Sequence, residues 1–358
     1  MSGDPVHDQQ VQTAMVQPVD QPVIGVAIVT YNSAKIIANC LSSLLLSQGV
    51  RLRIVITDNA SEDDTCDVVR AWANEHAETV SFAEKVSENL EGSDATLTLI
   101  RSPVNGGFAE ATNRGLSLLM QDAEIELFWL LNPDCVVLPD TAENYARAGA
   151  DGNFALMGGR TRFHDHPDRV QTDGGKVSRW TGVCQSVNWG REAASARMPV
   201  ADELDFITGA NCVASRRFLE NVGLMEEDYF LYYEEVDWAF RRGDLELRVV
   251  PEAEVLHHGG TVIGTTSIGR RPSPFANYFN YRNRMRFVRR FLPLSAVGAY
   301  VFVLAKVIQL IPVGAFSEAR AIIAGALELP PPADVRALLA PQSHDLAFSP
   351  RHRERMPR

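Results

Sequence analysis

The sequence predicts an α/β fold, a mostly parallel sheet with helices on both faces, followed by a helical C-terminal extension. Three observations predict it. Continuous apolar runs rich in β-branched residues, such as VIGVAIVT at 23–30, mark strands buried on both faces. Segments with apolar residues at helical spacing separate these runs, which is the alternation of a parallel sheet with crossover helices. With 46% apolar and 22% charged residues over 358 positions, the chain has the balance of one large or two modest globular domains rather than a disordered protein.

The elements follow in order. After the run at 23–30, Tyr31-Asn32-Ser33 reads as a turn with Ser33 as a helix cap, and Ile36, Ile37, Cys40, Leu41, Leu44 and Leu45 then recur at helical spacing. Residues 53–57 (RIVIT) are a second strand ending at Asp58-Asn59-Ala60-Ser61, and a helix carrying Val68, Val69 and Trp72 follows. Residues 74–94 are polar and acidic, and read as a helix end plus loop. Strands are expected at 96–100 and 128–131, the latter stopped by Asn132-Pro133-Asp134. Residues 150–205 read as loops and short strands. A strand at 206–213, a helix at 216–222, a helix opening at Glu234, and two short strands at 247–250 and 253–256 complete the unit.

Four segments are expected: a flexible tail at 1–21, a catalytic unit at 22–265, a basic and apolar helical extension at 266–330, and a loosely attached tail at 331–358. The net charge of −11 argues against a general nucleic-acid binder. Five scattered cysteines without a CxxC pair suggest neither a disulfide framework nor a zinc knuckle, and favour a reduced, cytoplasmic setting. The opening residues lack the basic and apolar regions of a signal peptide.

Ligands of open α/β sheets bind beyond the carboxyl ends of the strands. Tyr31, Asn32, Asp58, Asn59, Asn132 and Asp134 all fall there. One such residue is most simply a turn former; convergence at three strand ends points to a site. Neither GxGxxG after the first strand nor GxxxxGK[ST] is present, which disfavours a dinucleotide fold and a P-loop NTPase. Asp58 is placed to accept hydrogen bonds from a base or ribose. Asp134 and His257 follow different strands; His257 taken alone reads more simply as a loop histidine bonded to backbone, whereas the two together could offer an oxygen and an imidazole to one divalent cation, a set that suits Mn²⁺ better than Ca²⁺. Asn105-Gly106-Gly107 opens a helix, where it serves either as a tight turn or as a set of free N–H groups approaching a ligand. Glu234, Glu235 and Asp237 lie at a helix start among Tyr229, Phe230, Tyr232, Tyr233 and Trp238. Acids in a first helical turn complement the dipole, and Asp237 pairs with Arg241 at i,i+4; dry surroundings and adjacent like charge would also raise a carboxyl toward the range of a general base.

In order, AIVTYNSA (27–34), ITDNASEDDT (56–65), NGGFAEATNRG (105–115), LLNPDC (130–135), the segment 208–241 and PEAEVLHHGG (251–260) resemble family 2 glycosyltransferases of the rhamnosyltransferase-like branch, with a GT-A fold. The resemblance covers roughly residues 22–290 and implies an inverting transfer from a nucleoside-diphosphate sugar, dTDP- or UDP-linked, to a hydroxyl of a glycan or lipid-linked acceptor. It implies Thr30, Tyr31, Asn32, Asp58, Asn105, Gly106 and Asn132 on the nucleotide, and Asp134 with His257 on Mn²⁺ or Mg²⁺. Glu235 or Glu234 becomes the base, and Gly209, Asp237 and Trp238 the acceptor-side support. Rhamnose is the first expectation for the sugar, in cell-surface polysaccharide synthesis. A non-catalytic sugar-nucleotide or glycan-binding module and a nucleotidyltransferase are the alternatives on this scaffold.

Beyond the catalytic segments, Arg270, Arg271, Arg282, Arg284, Arg286, Arg289 and Arg290 run without an acid among them, and an apolar stretch at 294–316 follows. Two readings stand side by side: an amphipathic helix packed on the catalytic unit with paired arginines, or a peripheral surface for anionic lipid at the inner face of the membrane.

Overall fold

A computed structural model describes residues 21–87, 90–259 and 271–349. The elements in chain order are β1 (Val23–Thr30), α1 (Ile37–Leu45), β2 (Arg51–Asp58), α2 (Thr65–Glu75), β3 (Phe82–Val86), β4 (Leu97–Arg101), α3 (Phe108–Leu119), β5 (Ile125–Leu131), β6 (Cys135–Val137), α4 (Thr141–Ala148) and β7 (Leu156–Phe163). Next come β8 (Val170–Thr172), β9 (Gly175–Val177), β10 (Cys184–Ser186), β11 (Asn211–Ser215), α5 (Arg216–Val222), α6 (Glu234–Phe240) and β12 (Leu247–His257). The C-terminal region adds α7 (Pro274–Phe291), α8 (Ala296–Leu310), α9 (Phe316–Ala326), α10 (Ala333–Arg336) and α11 (His344–Phe348).

The main sheet runs β3-β4-β2-β1-β5-β11-β7-β12-β6, with β8 beside β7. From β3 to β5 every pairing is parallel, as is β7 with β12, whereas β11 runs antiparallel between β5 and β7. The amino end of β11 therefore lies at the same edge as the carboxyl ends of β1, β2, β5 and β12. Successive residues of β1 point to opposite faces. Ile24, Val26 and Ile28 pack with α1, α2 and α4; Val23 and Ala27 join the cluster of α3, α5, α6 and α7.

Several expectations are corrected. Residues 82–86 (FAEKV), read as loop, form the edge strand β3; its charged residues suit an edge that must not recruit further strands. Residues 156–163 (LMGGRTRF) form the buried strand β7, where Arg160 is satisfied by Asp173 at 2.9 Å through both Nε and Nη2. The two short strands at 247–250 and 253–256 are one strand, β12, whose register with β7 shifts between Val249 and Glu254, around Pro251, which has no N–H to donate. The strand expected at 206–213 starts only at Asn211, because Thr208, Gly209 and Ala210 turn. Ser33 places no side-chain cap on α1, which begins after Ile36.

The C-terminal helices are part of the same body. Phe275, Tyr278 and Phe279 of α7 share a core with Phe230, Ala321, Val335, Leu339 and Ala347. Thus residues 333–348, expected as a loose tail, pack on α7, because Val335, Leu339 and Ala347 supply an apolar face. The expected tail at 1–21 falls outside the described residues except for Gln21, as do Arg270 and Gly260.

Candidate active site

The polar strand ends converge at the carboxyl edge. Thr30 and Asp58 are in register, and Thr30 Oγ1 donates to Asp58 Oδ1 at 3.0 Å. Ser61 adds its hydroxyl to the same oxygen at 2.6 Å and its N–H to Oδ2 at 3.1 Å. Asp58 is thus buried and fixed by three donors, one at the end of β1 and two from Ser61 in the loop after β2. Asn32 adopts a left-handed φ of 52°, its N–H donates to Ser61 Oγ at 2.9 Å, and its Oδ1 accepts the Glu62 N–H at 2.8 Å. Its turn-forming role accounts for both contacts. Tyr31 is half-buried beside Asn105 and Glu62, and burial followed by the Glu62 charge pushes its phenol up.

The turn at Asn105-Gly106-Gly107 does not offer the free N–H groups that its glycines suggested. The Asn105 N–H goes to Ser343 Oγ (3.2 Å), Gly106 to Asn59 Oδ1 (3.0 Å), Gly107 to Asn105 Oδ1 (3.0 Å), and Phe108 to the Phe230 carbonyl (2.7 Å). Gly107 has φ 93°, and a Cβ there would sit 2.3 Å from the Phe230 carbonyl oxygen. The turn is glycine because it seats the loop that leads to α6.

Asp134 and His257 meet, with Asp134 Oδ1 2.9 Å from His257 Nε2. His257 Nδ1 faces Gln171 Oε1 at 2.6 Å, and Nε2 lies 3.2 Å from Asn132 Nδ2. An amide oxygen only accepts, so Nδ1 carries a proton toward Gln171, while Nε2 donates to Asp134 when it too carries a proton and offers its lone pair to a shared cation when it does not. Burial works to raise the Asp134 carboxyl, but the His257 hydrogen bond and charge, with backbone N–H groups including that of Gly259, hold it below its ordinary range. A carboxylate oxygen and an imidazole nitrogen, the ring oriented from behind by an amide, are a donor set that fits a divalent cation. Cys135 lies close enough that the three ligand atoms fall within 4.8 Å of one another. Burial and then the Asp134 charge push its thiol well up, and it donates to the Ala210 carbonyl, so it stays protonated and is a poor ligand.

Glu235 lines a cavity of about 530 Å³ together with Thr208, Tyr232, Tyr281, Arg284 and Lys306. Burial pushes its carboxyl up against the stabilising N–H groups of Glu235, Gly209 and Val236. Glu234 does not line this cavity. It is buried, its Oε2 has no hydrogen-bond partner among the described residues, and burial followed by the Glu235 charge pushes it well up. Burial without a partner for Oε2 thus favours the protonated form of Glu234. Asp237 and Trp238 do not line the cavity either. Asp237 anchors α6 through Tyr229, Arg241 and Arg290, and Trp238 Nε1 donates to the Gly223 carbonyl.

Two consecutive residues join the two groups. Gly209 donates its N–H to Glu235, while the Ala210 carbonyl accepts from the Asn132 N–H at 3.0 Å. Neighbouring Cα atoms are about 3.8 Å apart, so the base candidate and the Asn132–Asp134 turn grip one short piece of chain.

Asn283, which the sequence reading passed over, holds this arrangement. Phe230, Tyr232 and Tyr233 all have positive φ (61°, 70° and 72°), a strained run immediately before Glu234. Asn283 of α7, fully buried, holds it by donating to the carbonyls of Tyr229 (2.7 Å), Leu231 (2.7 Å) and Tyr232 (3.0 Å), and Arg282 Nη2 adds a bond to Tyr229 (2.9 Å). The available signal was three side-chain donors, Arg282, Asn283 and Arg284, in a row inside an aromatic helix. Gln171 behind His257 carried no such signal.

The glycosyl transferase family 2 profile matches residues 25–223, more than half of the chain. The chain belongs to that family. This glycosyltransferase is 22% identical over 276 residues to Agl10, a hexosyltransferase of low-salt glycan biosynthesis from Haloferax volcanii, which covers 76% of this chain and 77% of the relative. It resembles the mannosyltransferase PcManGT from Pyrobaculum calidifontis, solved with GDP-Man and Mn²⁺, at a TM-score of 0.51 and 18% identity, over 87% of this chain and 88% of that one. It also resembles GalNAc-T7, solved with UDP, GalNAc and Mn²⁺, at a TM-score of 0.51 and 13% identity, over 76% of this chain and 48% of that one. The fold of this glycosyltransferase is GT-A-like, with a helical C-terminal region, and its donor is a sugar nucleotide.

Proposed function

We propose that the chain is an inverting glycosyltransferase in which Glu235 is the general base. Asp134 and His257 hold Mn²⁺ or Mg²⁺, and Thr30, Tyr31, Asp58 and the Asn132 turn form the nucleotide side. The observation that carries this reading is the bridge from Glu235 through Gly209 and Ala210 to the Asn132–Asp134 turn, with Glu235 open to a cavity. Glu235 removes the proton of an acceptor hydroxyl as that oxygen bonds to the anomeric carbon; the bond to the diphosphate oxygen breaks, and its electron pair leaves with the nucleoside diphosphate. A raised carboxyl suits this step, because a base with a pKa nearer neutrality takes the proton more readily. A divalent cation, when bound, would offset charge on the departing diphosphate.

The donor nucleotide is dTDP or UDP and the sugar rhamnose, in synthesis of a cell-surface glycan; the motif resemblance supports this choice. The structural neighbours crystallised with GDP-Man and with UDP support a sugar nucleotide without favouring that sugar. The free state of all five cysteines supports a reduced, cytoplasmic setting. Replacing Glu235 with glutamine tests the reading. Transfer should fall by about 10²–10⁴-fold while UDP with Mn²⁺ still binds; near-normal turnover would remove Glu235 as the base.

A further inference from the structure

The cavity beside Glu235 has the features of an anion site. Arg284 of α7 lines it, is 2% exposed, and lies 4.2 Å over the Tyr281 ring and 4.8 Å over the Phe302 ring. Its Nε and Nη2 have no hydrogen-bond partner among the described residues. A buried cation with idle donors is costly, and other arginines of this helix are not left so. Arg282 bonds to the carbonyls of Tyr229 and Ala347, Arg286 and Arg289 pair with Glu328, and Arg290 pairs with Asp237. Those four are therefore not free for lipid headgroups, as the sequence alone allowed. Nε and Nη2 are one edge of the guanidinium fork, which matches two oxygens of a phosphate. Lys306 and Arg271 line the same cavity, and Glu235 and Glu318 are the acids on its wall.

Helix α8 presents opposite chemistry on its two sides. Phe302, Lys306 and Gln309 face the cavity. On the other side Val297, Val301, Leu304, Ile308 and Ile311, spaced by three or four residues, are 75, 62, 60, 57 and 50% exposed. The segment Pro293–Val313 is apolar enough to cross a membrane, with mean hydropathy 2.0, yet only 17% of it is buried. Trp180, 81% exposed, has its backbone carbonyl against Gly298 in the first turn of α8, where a Cβ would be 2.3 Å away. A helix resting with one face about 5–10 Å deep in the interface, and about 10–12 Å across, would carry the cavity on its other side at headgroup level.

We propose that the acceptor is an anionic amphiphile, a sugar or glycan joined through phosphate to a hydrocarbon chain, with the phosphate against Arg284 and the chain in the membrane surface on which α8 lies. This rests on Glu235 being the base that faces the acceptor. The cavity side of α8 is committed to Lys306, Gln309 and the packed Ala299 and Val303, so the helix lies along the surface rather than crossing it.

Titration of the full chain with dodecyl phosphate, inorganic phosphate and dodecyl maltoside tests the site. Flotation with vesicles of phosphatidylglycerol and phosphatidylcholine tests the surface. Dodecyl phosphate should bind at least about tenfold tighter than either control, and Arg284→Gln should lose about tenfold of that affinity. Lys306→Gln, at a half-exposed position where folding is not at stake, should weaken it in the same direction. The Val301→Asp, Leu304→Asp double variant should stop floating. Equal binding of inorganic phosphate would mean a free-anion site. Equal binding of dodecyl maltoside, or unchanged binding in both cation variants, would remove the phosphate. Undiminished flotation of the double variant would remove the surface. UDP binding with Mn²⁺ by the unaltered chain is read separately: its absence would sink the glycosyltransfer reading itself, whereas its presence beside a failed dodecyl phosphate arm would sink only this inference.

Discussion

Replacing Asn283 with alanine should release the strained run that delivers Glu235. The Asn283 amide has two hydrogens, shared among the carbonyls of Tyr229, Leu231 and Tyr232. Tyr229 keeps Arg282 as a donor, so two carbonyls, those of Leu231 and Tyr232, lose their partner. Each buried orphan costs about 1–3 kcal/mol, and because both residues are half-buried the low end applies, for a total of about 2–3 kcal/mol. Unfolding entropy scales with chain length, so for 358 residues the melting temperature should fall by about 3–4 °C. Function should suffer more than stability. Positive φ at Phe230, Tyr232 and Tyr233 costs of order 1–3 kcal/mol each, so the freed run relaxes and Glu235 moves. A displacement of about 1 Å is worth about 10²-fold in rate. Calorimetry together with initial-rate kinetics measures both: kcat should drop between about tenfold and a hundredfold, with UDP binding nearly retained. A variant with the kcat and melting temperature of the parent would refute the clamp.

Glu234→Gln should leave transfer largely intact, since Glu234 is buried and does not line the cavity that Glu235 lines. Its carboxyl is raised in the fold, so its contribution to stability is full below the ordinary carboxylate range and is lost as pH rises. The variant should therefore gain on the parent in thermal unfolding as pH increases above about 4.5; a gain confined to acid pH would contradict the burial of Glu234. Gln171→Leu removes the acceptor of His257 Nδ1–H, and Mn²⁺ affinity measured by titration in the presence of UDP should fall by about 10–100-fold. An unchanged affinity would mean that the ring is not a ligand.

The parts of this architecture that a sequence displays are the ones with local signatures. Continuous apolar runs announced β1, β2 and β5, and the polar residues that stop them named the edge where Asp58, Asn132 and Asp134 gather. The edge strand β3 and the buried strand β7 hid for one reason: charged or glycine residues interrupt both, and only the neighbours in the sheet explain them, namely β4 for one and the Asp173 partner of Arg160 for the other. Glu234 and Glu235 were indistinguishable as a pair because adjacent helix residues differ only in which way they face; burial of one and exposure of the other to the cavity separates them. The glycines at 106 and 107 promised a ligand cradle, yet Gly107 seats the loop at Phe230, more than a hundred residues away in sequence, and the Gly106 N–H is held by Asn59. Asn283 and Gln171 act through contacts with distant chain and leave no mark on their own neighbourhoods.

Crystals of the chain grown with UDP and Mn²⁺, with anomalous data collected at the manganese edge, test the donor-and-base geometry most directly. The account predicts a peak about 2.0–2.3 Å from both a carboxylate oxygen of Asp134 and Nε2 of His257, with the diphosphate running toward the cavity that Glu235 lines. A peak at the exposed His164–Asp165–His258 group instead, or a diphosphate pointing away from Glu235, would contradict it.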